Sequence, residues 1–207
     1  MMCARDRLLA AVTLAGAAVL GACASAPVHY YTLVAPAAED TVGVGAVTGP
    51  TIQFELLASP VPAQVDQSQL IVREGAERVG VLDAERWIAP LGDEVHAALA
   101  ADLARALPGQ DVGKLIAGGK PMLRIQLDLR RFESAPGAYA LIEAAWSLRL
   151  PNDTAVAPLT CTTTISERVG PGYDALVRGH QRALGRLAAE IAAVAQPYIA
   201  GQATHCR

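Results

Sequence analysis

The sequence has no run of basic residues. Its 17 Lys and Arg are outnumbered by 20 Asp and Glu, which gives a formal net charge of −3 at pH 7. A nucleic-acid-binding domain needs a cationic patch to offset the phosphates, so composition excludes nucleic acid as a partner. The sequence also has only one long hydrophobic run, Leu8 to Leu20. Because a transmembrane helix needs about 20 apolar residues, the rest of the chain is predicted to form a soluble domain.

Sequence motifs of the common enzyme classes are missing as well. The Gly-x-Ser-x-Gly elbow of a hydrolase does not occur. Gly43–Gly49 misses the glycine spacing of a dinucleotide site by one residue, and Gly118–Pro121 has a proline where a phosphate loop needs a hydroxyl. The four histidines are scattered without metal-ligand spacing: His29, His96, His180 and His205. The sequence therefore predicts a protein without catalytic residues, cofactor or metal.

The N-terminal segment is typical of a bacterial lipoprotein. Arg5 and Arg7 precede the apolar run, which is too short to span a bilayer, and Leu20-Gly21-Ala22-Cys23 has small residues directly before a cysteine. The thiolate of that cysteine is the nucleophile that takes up the diacylglyceryl group. We predict that residues 1–22 are a lipoprotein signal peptide and that Cys23 is lipidated. The alternative is an ordinary signal peptide that happens to end before a cysteine.

The residue after Cys23 predicts the membrane to which the lipoprotein is sorted. Ala24 stands where an Asp would favour retention at the inner membrane in enteric bacteria, which predicts the periplasmic face of the outer membrane. Acyl chains on Cys23 would hold the protein to outer-membrane lipid. The predicted division of the chain is a lipidated tether at 23–28, a single domain at 29–200 and a C-terminal tail at 201–207.

Hydrophobic periodicity predicts an α+β fold. Alternating or β-branched residues predict strands at 29–34, 51–57, 69–73, 78–82, 123–130, 139–150 and 159–165. Apolar residues three or four apart predict long helices over Pro90–Leu107 and Tyr173–Ile199. We expect a largely antiparallel or mixed β-sheet, with both helices packed on one face and the other face wet.

Four residues of these helices carry specific expectations. His180 lies on the apolar stripe of the second helix and is predicted to be a core histidine, whereas His96 on the first helix is expected to face solvent. Gly179 and Gly185 weaken the second helix by up to about 1 kcal/mol each. Close packing against the sheet would explain both glycines.

Two cysteines remain once Cys3 leaves with the signal peptide and Cys23 is acylated. In an oxidising compartment two leftover thiols are more often bonded than free. We therefore predict a disulfide between Cys161 and Cys206 that pins the C-terminal tail to the sheet. Two free thiols, with Cys161 simply a core residue, are the alternative.

Several segments in combination resemble a known family. Tyr30–Leu33 follows soon after the predicted lipidated cysteine, and Pro62–Arg73 and Glu85–Leu91 are similar to the most recognisable stretch of the ABC-type transport auxiliary lipoproteins, the PqiC-like family. Further matching segments are Arg131–Glu133, Ala145–Leu148 and Tyr173–Val177. Val65 and Gln67-Ser68 depart from the family pattern, where Leu and Arg-Pro are usual.

The resemblance implies an accessory protein of a lipid transport system. Its partners would be an Mce-domain substrate-binding protein with the permease and ATPase of that system, and a homo-oligomer is compatible with this role. The motif residues that form either the partner surface or the core are Gln69, Arg86, Trp87, Pro90 and Leu91. We favour a core position for Trp87, because Pro90 fixes the chain there and a large aromatic gains most from burial. An envelope assembly scaffold and a periplasmic hydrolase with an unrecognised site are the alternative functions.

Overall fold

The computed structural model describes residues 27–36, 52–107, 109–113, 122–151, 153 and 156–206. Several predictions lie outside the described residues: the signal peptide at 1–22, the lipidation site Cys23, most of the tether and both glycine segments, Gly43–Gly49 and Gly118–Pro121.

The described chain alternates strands with two long helices. Its elements are β1 (His29–Tyr31), β2 (Ile52–Leu56), β3 (Gln69–Arg73), β4 (Val79–Trp87), α1 (Leu91–Ala106), β5 (Gly109–Asp111), β6 (Met122–Ala135), β7 (Tyr139–Arg149), β8 (Leu159–Arg168) and α2 (Tyr173–Ile199). Both predicted helices and all seven predicted strands are present. The sequence pattern missed the short strand β5. None of the helices in the described part of the chain is both long and apolar enough to cross a membrane.

The strands form two sheets. One has three strands in the order β1-β4-β3, and the other has five in the order β5-β2-β6-β7-β8. The pairs β1–β4, β2–β5 and β2–β6 are parallel, whereas β3–β4, β6–β7 and β7–β8 are antiparallel. The predicted α+β single-domain fold is confirmed, in its mixed-sheet form.

Two strands run past their predicted ends because each contains an irregularity. In β6 the pairing shifts between Leu129 and Arg131, and the strand then continues to Ala135. In β4, Arg86 pairs with Gln69 whereas Leu82 pairs with the next residue of β3, so residues 83–85 have no opposite partner on β3. Such bulges break the two-residue alternation, and the sequence pattern therefore predicted that both strands end too early.

The helices cover one face of the five-stranded sheet. The apolar stripes of both helices are buried: Leu91, Val95, Leu99, Leu103, Leu176, Leu184, Leu187 and Ile191. Inward-facing residues of β6 and β7 complete this core, with Leu127 and Ile142 fully buried. On the opposite face Gln126, Asp128 and Thr162 are exposed. The prediction of one wet sheet face is confirmed within the described residues.

The two glycines of α2 have different surroundings. A Cβ built on Gly179 would overlap Val169 Cγ1 and lie 3.0 Å from Ala140 Cβ, so this glycine allows the helix to approach the sheet closely. The Cβ position of Gly185 instead lies 3.8 Å from Asp102 of α1, an ordinary van der Waals distance. Close packing against the sheet therefore explains Gly179, and the same explanation is wrong for Gly185, which faces the other helix.

This difference predicts opposite effects of the same substitution. Gly179→Ala should destabilise the protein, because overpacking against Val169 costs about 1–3 kcal/mol and exceeds the helix propensity gained. Gly185→Ala is the matched control and should stabilise the protein by up to about 1 kcal/mol. Urea denaturation of both variants measures the difference. Equal changes in the two free energies of unfolding would contradict the packing argument.

Candidate docking surfaces

The first strand is held to the three-stranded sheet by a shared carboxylate. The hydroxyl of Tyr31 donates to Glu85 Oε2 at 2.6 Å, and His29 Nδ1 lies 2.9 Å from Glu85 Oε1. Burial opposes ionisation of this carboxyl, yet the hydrogen bonds from Tyr31 and His29 outweigh it and lower the pKa of Glu85. An ionised Glu85 therefore fixes the start of the described chain to β4.

A second carboxylate ties the chain after β1 to helix α1. Glu94 is buried in the first turn of the helix and accepts hydrogen bonds from Thr32 Oγ1 at 2.8 Å and from the Leu33 amide at 2.7 Å. Gln181 of α2 donates to the Thr32 carbonyl at 3.0 Å. A negative charge is favourable at a helix N-terminus, which adds to this arrangement. Sequence reasoning missed Glu94, although its position between Leu91 and Val95 on the apolar stripe could have indicated a buried carboxylate.

The motif residues divide between core and surface. Trp87 is 3% exposed and its ring meets that of Phe132 edge-on, with centroids 6.2 Å apart. Leu91 is also buried. In contrast, the motif residues on the surface are exposed or half-buried: Gln69, Arg86 and Pro90. The structure therefore places Trp87 and Leu91 in the core and leaves only the other three accessible to a partner.

A charged cluster joins the two sheets. Glu133 of β6 accepts hydrogen bonds from Arg73 of β3 at 2.6 Å, from Arg131 at 2.9 Å and from the Tyr139 hydroxyl at 3.0 Å. Burial alone would raise the pKa of Glu133, but the hydrogen bonds from these donors outweigh burial and lower this pKa. Next to the cluster lies a groove of about 380 Å³, whose apolar lining includes Val65, Ile71 and Val79. Sequence reasoning did not find this cluster, because Arg73 and Tyr139 come from other strands than Arg131 and Glu133.

A smaller groove lies between β8, α2 and the C-terminal tail. It has a volume of about 230 Å³ and is lined by apolar residues that include Trp146, Ala193 and Val194. The disulfide that the sequence predicts is present, and the Cα atoms of Cys161 and Cys206 lie 5.5 Å apart. The bridge forms one side of the groove and attaches the tail to β8.

The polar atoms in this groove satisfy one another. Trp146 Nε1 donates to Thr163 Oγ1 at 3.1 Å, and that hydroxyl donates to Glu190 Oε2 at 3.1 Å. A hydrogen-bonded chain of this kind stabilises the packing of α2 on the sheet.

The buried histidine also lies beside a hydroxyl. His180 is fully buried, as predicted, and stacks on Phe132 with ring centroids 3.9 Å apart. Its Nε2 lies 2.8 Å from Ser134 Oγ, whereas Nδ1 has no hydrogen-bond partner within the described residues. Ser134 is only 5% exposed, and it lines the groove beside Glu133.

His96 of α1 is less exposed than the sequence predicts. His96 was expected to face solvent, but it is half-buried, and its Nδ1 is buried without a hydrogen-bond partner in the described chain. The loop after β2 covers this side of α1, since Ser59 and Pro60 line the same groove as His96. Periodicity of the helix alone does not show which loop crosses it.

The burial of His180 predicts a loss of stability in mild acid. Desolvation lowers the pKa of His180 to about 3, whereas an unfolded histidine titrates near its ordinary value of about 6.5. Stability is therefore complete above about pH 6.5 and decreases as the pH falls toward 3, because the unfolded chain binds the proton first. From pH 7 to pH 5 the loss is about 2 kcal/mol.

Chemical denaturation across this pH range measures the loss. His180→Gln is the control that does not titrate, and it should flatten the curve between pH 7 and pH 5. The carboxylates with lowered pKa values, such as Glu85 and Glu133, contribute only at lower pH. An equally steep curve for the variant would contradict the assignment to His180.

Comparison with known proteins identifies the family. The family model of the ABC-type transport auxiliary lipoprotein component matches residues 31–192. This range contains β2 to β8, all of α1 and most of α2. The chain belongs to this family.

The fold of this chain also occurs in solved structures. A crystal structure of an uncharacterized protein matches with a TM-score of 0.64 at 14% identity, covering 81% of this chain and 98% of that one.

A second solved structure gives a similar result. A protein from Xanthomonas campestris of family DUF330 matches with a TM-score of 0.50 at 20% identity, covering 73% of this chain and 85% of that one. At these identities the likeness shows the fold. No curated protein matches the chain.

Proposed function

We propose that this auxiliary lipoprotein is the outer-membrane-anchored docking subunit of an Mce-type ABC lipid transport system. The observation that carries the proposal is the family match over residues 31–192. The N-terminal Leu20-Gly21-Ala22-Cys23 sequence supports attachment to a membrane. The partner is an Mce-domain substrate-binding protein, and through it the permease and the ATPase.

The surface chemistry supports docking rather than catalysis. The wet face of the five-stranded sheet carries hydroxyl, amide and charged groups on rigid strands, with Gln126, Asp128, Thr162 and Thr164 exposed. A rigid polar surface is suited to a protein partner, because little side-chain entropy is lost on binding. The Ser–His pair described above, Ser134 and His180, is buried.

Removing the acylated cysteine tests the anchor. Cys23→Ala should block lipid attachment and leave an uncleaved precursor or a soluble periplasmic protein, because the thiolate that accepts the diacylglyceryl group is gone. Membrane fractionation and labelling with palmitate measure the outcome. Outer-membrane fractionation with continued palmitate uptake by the variant would show that Cys23 is not the site.

Capture of the partner tests the docking role. The tagged wild-type lipoprotein, solubilised in mild detergent, should copurify an Mce-domain protein together with its permease and ATPase. Genes for these three components beside the gene for this chain would support the same conclusion. Copurification of outer-membrane assembly factors without an Mce protein would favour the scaffold alternative instead.

A further inference from the structure

Exposed large hydrophobic side chains are confined to one part of the described structure. None of those found there lies on the five-stranded sheet or on either helix. They are on β1, on β4 or within three residues of these strands: Val28, Tyr30, Val34, Val79, Val81 and Ile88. Tyr30, for example, is 63% exposed and Ile88 is 69% exposed. A cluster of this kind marks an interaction surface more often than scattered single residues do.

The strand register places several of these side chains on the same side of the three-stranded sheet. Paired residues of neighbouring strands point to one side, and every second residue of a strand does so as well. The pairs that share this side are Tyr30 with Arg86, Arg86 with Gln69, Ile71 with Val81, and Arg73 with Val79. We call this the outer side of the three-stranded sheet.

The opposite side of the three-stranded sheet is buried against the rest of the protein. Leu70 belongs to the main core, and Val72 packs with Leu176 of α2 in a second buried cluster, which Leu82 joins from β4. The outer side therefore faces away from α2, and Val79 and Val81 remain more than half exposed there.

The charges of the outer side suit an anionic surface. The residues paired across it include two arginines, Arg73 and Arg86, and the groove beside it adds Arg130, Arg131 and the carboxylate of Glu133 from β6. Arg73 is bonded to Glu133, whereas Arg86 makes no ion pair within the described residues and donates from Nε to the Asp83 carbonyl at 2.8 Å. Apolar, tyrosine and arginine side chains together are characteristic of segments that lie in the headgroup region of a bilayer.

The predicted anchor lies close to this side. Tyr30 is seven positions after Cys23, and an extended chain spans at most about 3.6 Å per position, or roughly 25 Å in all. An acyl anchor at Cys23 therefore keeps β1 within that distance of the lipid surface. This step rests on the anchoring given under the proposed function.

We propose that the outer side of the three-stranded sheet is the membrane-facing surface of the protein and rests on the anionic phospholipid headgroups around the anchor. The side chains of Tyr30, Val79 and Val81 enter the interface, and Arg86 binds lipid phosphate. The polar face of the five-stranded sheet then stays free for the protein partner.

Photo-crosslinking in cells tests this orientation. The photoreactive residue p-benzoylphenylalanine replaces Val81, and in a second strain Val79, in the full-length lipoprotein. The control is the same replacement at Ala104, an exposed residue of α1. After irradiation, mass spectrometry should find phospholipid adducts at Val81 and Val79 with at least about tenfold higher yield than at Ala104, as expected for interfacial burial.

The other outcomes distinguish the two proposals. Crosslinks from position 81 to another protein or to a second copy of the chain, or equal lipid yields at 81 and 104, would overturn the membrane orientation while leaving the anchor intact. Absence of the wild-type protein from the membrane fraction would overturn the anchor and the orientation together.

Discussion

Replacing Trp87 by Ala is expected to lower the free energy of unfolding by about 3–5 kcal/mol, the range for a buried aromatic residue cut back to a methyl group. Trp87 is 3% exposed and packs edge-on against Phe132, which in turn stacks on His180. The substitution therefore opens a cavity where β4, β6 and α2 meet. Pro90 caps the helix three residues later and limits how far the chain can collapse into that cavity. Urea denaturation, with protein abundance in cells as a second reading, measures the loss.

The neighbouring residue supplies a matched control. Ile88 is 69% exposed, and Ile88→Ala should change stability by no more than about 0.5 kcal/mol, as surface substitutions usually do. If Trp87→Ala kept its melting temperature and lost only the ability to capture the Mce-domain partner, the core assignment would be wrong and this segment would be a docking site.

Loss of the disulfide should have an effect of similar size. The bridge joins Cys161 to Cys206 across 45 positions, so the entropy model predicts that it stabilises the folded state by about 4 kcal/mol. Cys206 also lies against the core beside Trp146 in the groove of β8 and α2. The double variant Cys161→Ala, Cys206→Ser should therefore unfold at a lower urea concentration, and the C-terminal tail should become sensitive to protease.

Reduction provides the control for this prediction. Dithiothreitol should destabilise the wild-type protein and leave the double variant unchanged. Mass spectrometry of the mature protein without reduction should find a peptide that links the two cysteines. Two alkylatable thiols in protein isolated from an oxidising compartment would show that the bridge does not form.

Local patterns determined most of the secondary structure. Helix α1 follows from Leu91, Val95, Leu99 and Leu103 at four-residue spacing, and these residues are all buried. Strand β7 follows in the same way from strict alternation, with each inward residue from Ala140 to Leu148 buried. Periodicity predicts these two elements correctly because each has one buried face and one solvent-exposed face. That pattern is visible in the sequence without knowledge of the neighbouring element.

The sequence alone also predicts the chemistry that depends on residue type. The segment Leu20-Gly21-Ala22-Cys23 predicts lipidation from its local pattern, and two leftover cysteines predict a bridge from their number. The family resemblance rests on several short segments in the family's order, and the family match over residues 31–192 confirms it.

Only the tertiary structure decided how these elements combine. The bulges of β4 and β6 changed strand ends and the direction of side chains, because the pairing partner, not the local pattern, determines register. The roles of Glu94 and Glu133 depend on donors about 60 residues away in sequence. Trp87 and Arg86 are adjacent in the same motif, yet one lies in the core and the other on the surface. The physical reason is that burial and hydrogen bonding are properties of the packed neighbours, which a linear pattern does not contain.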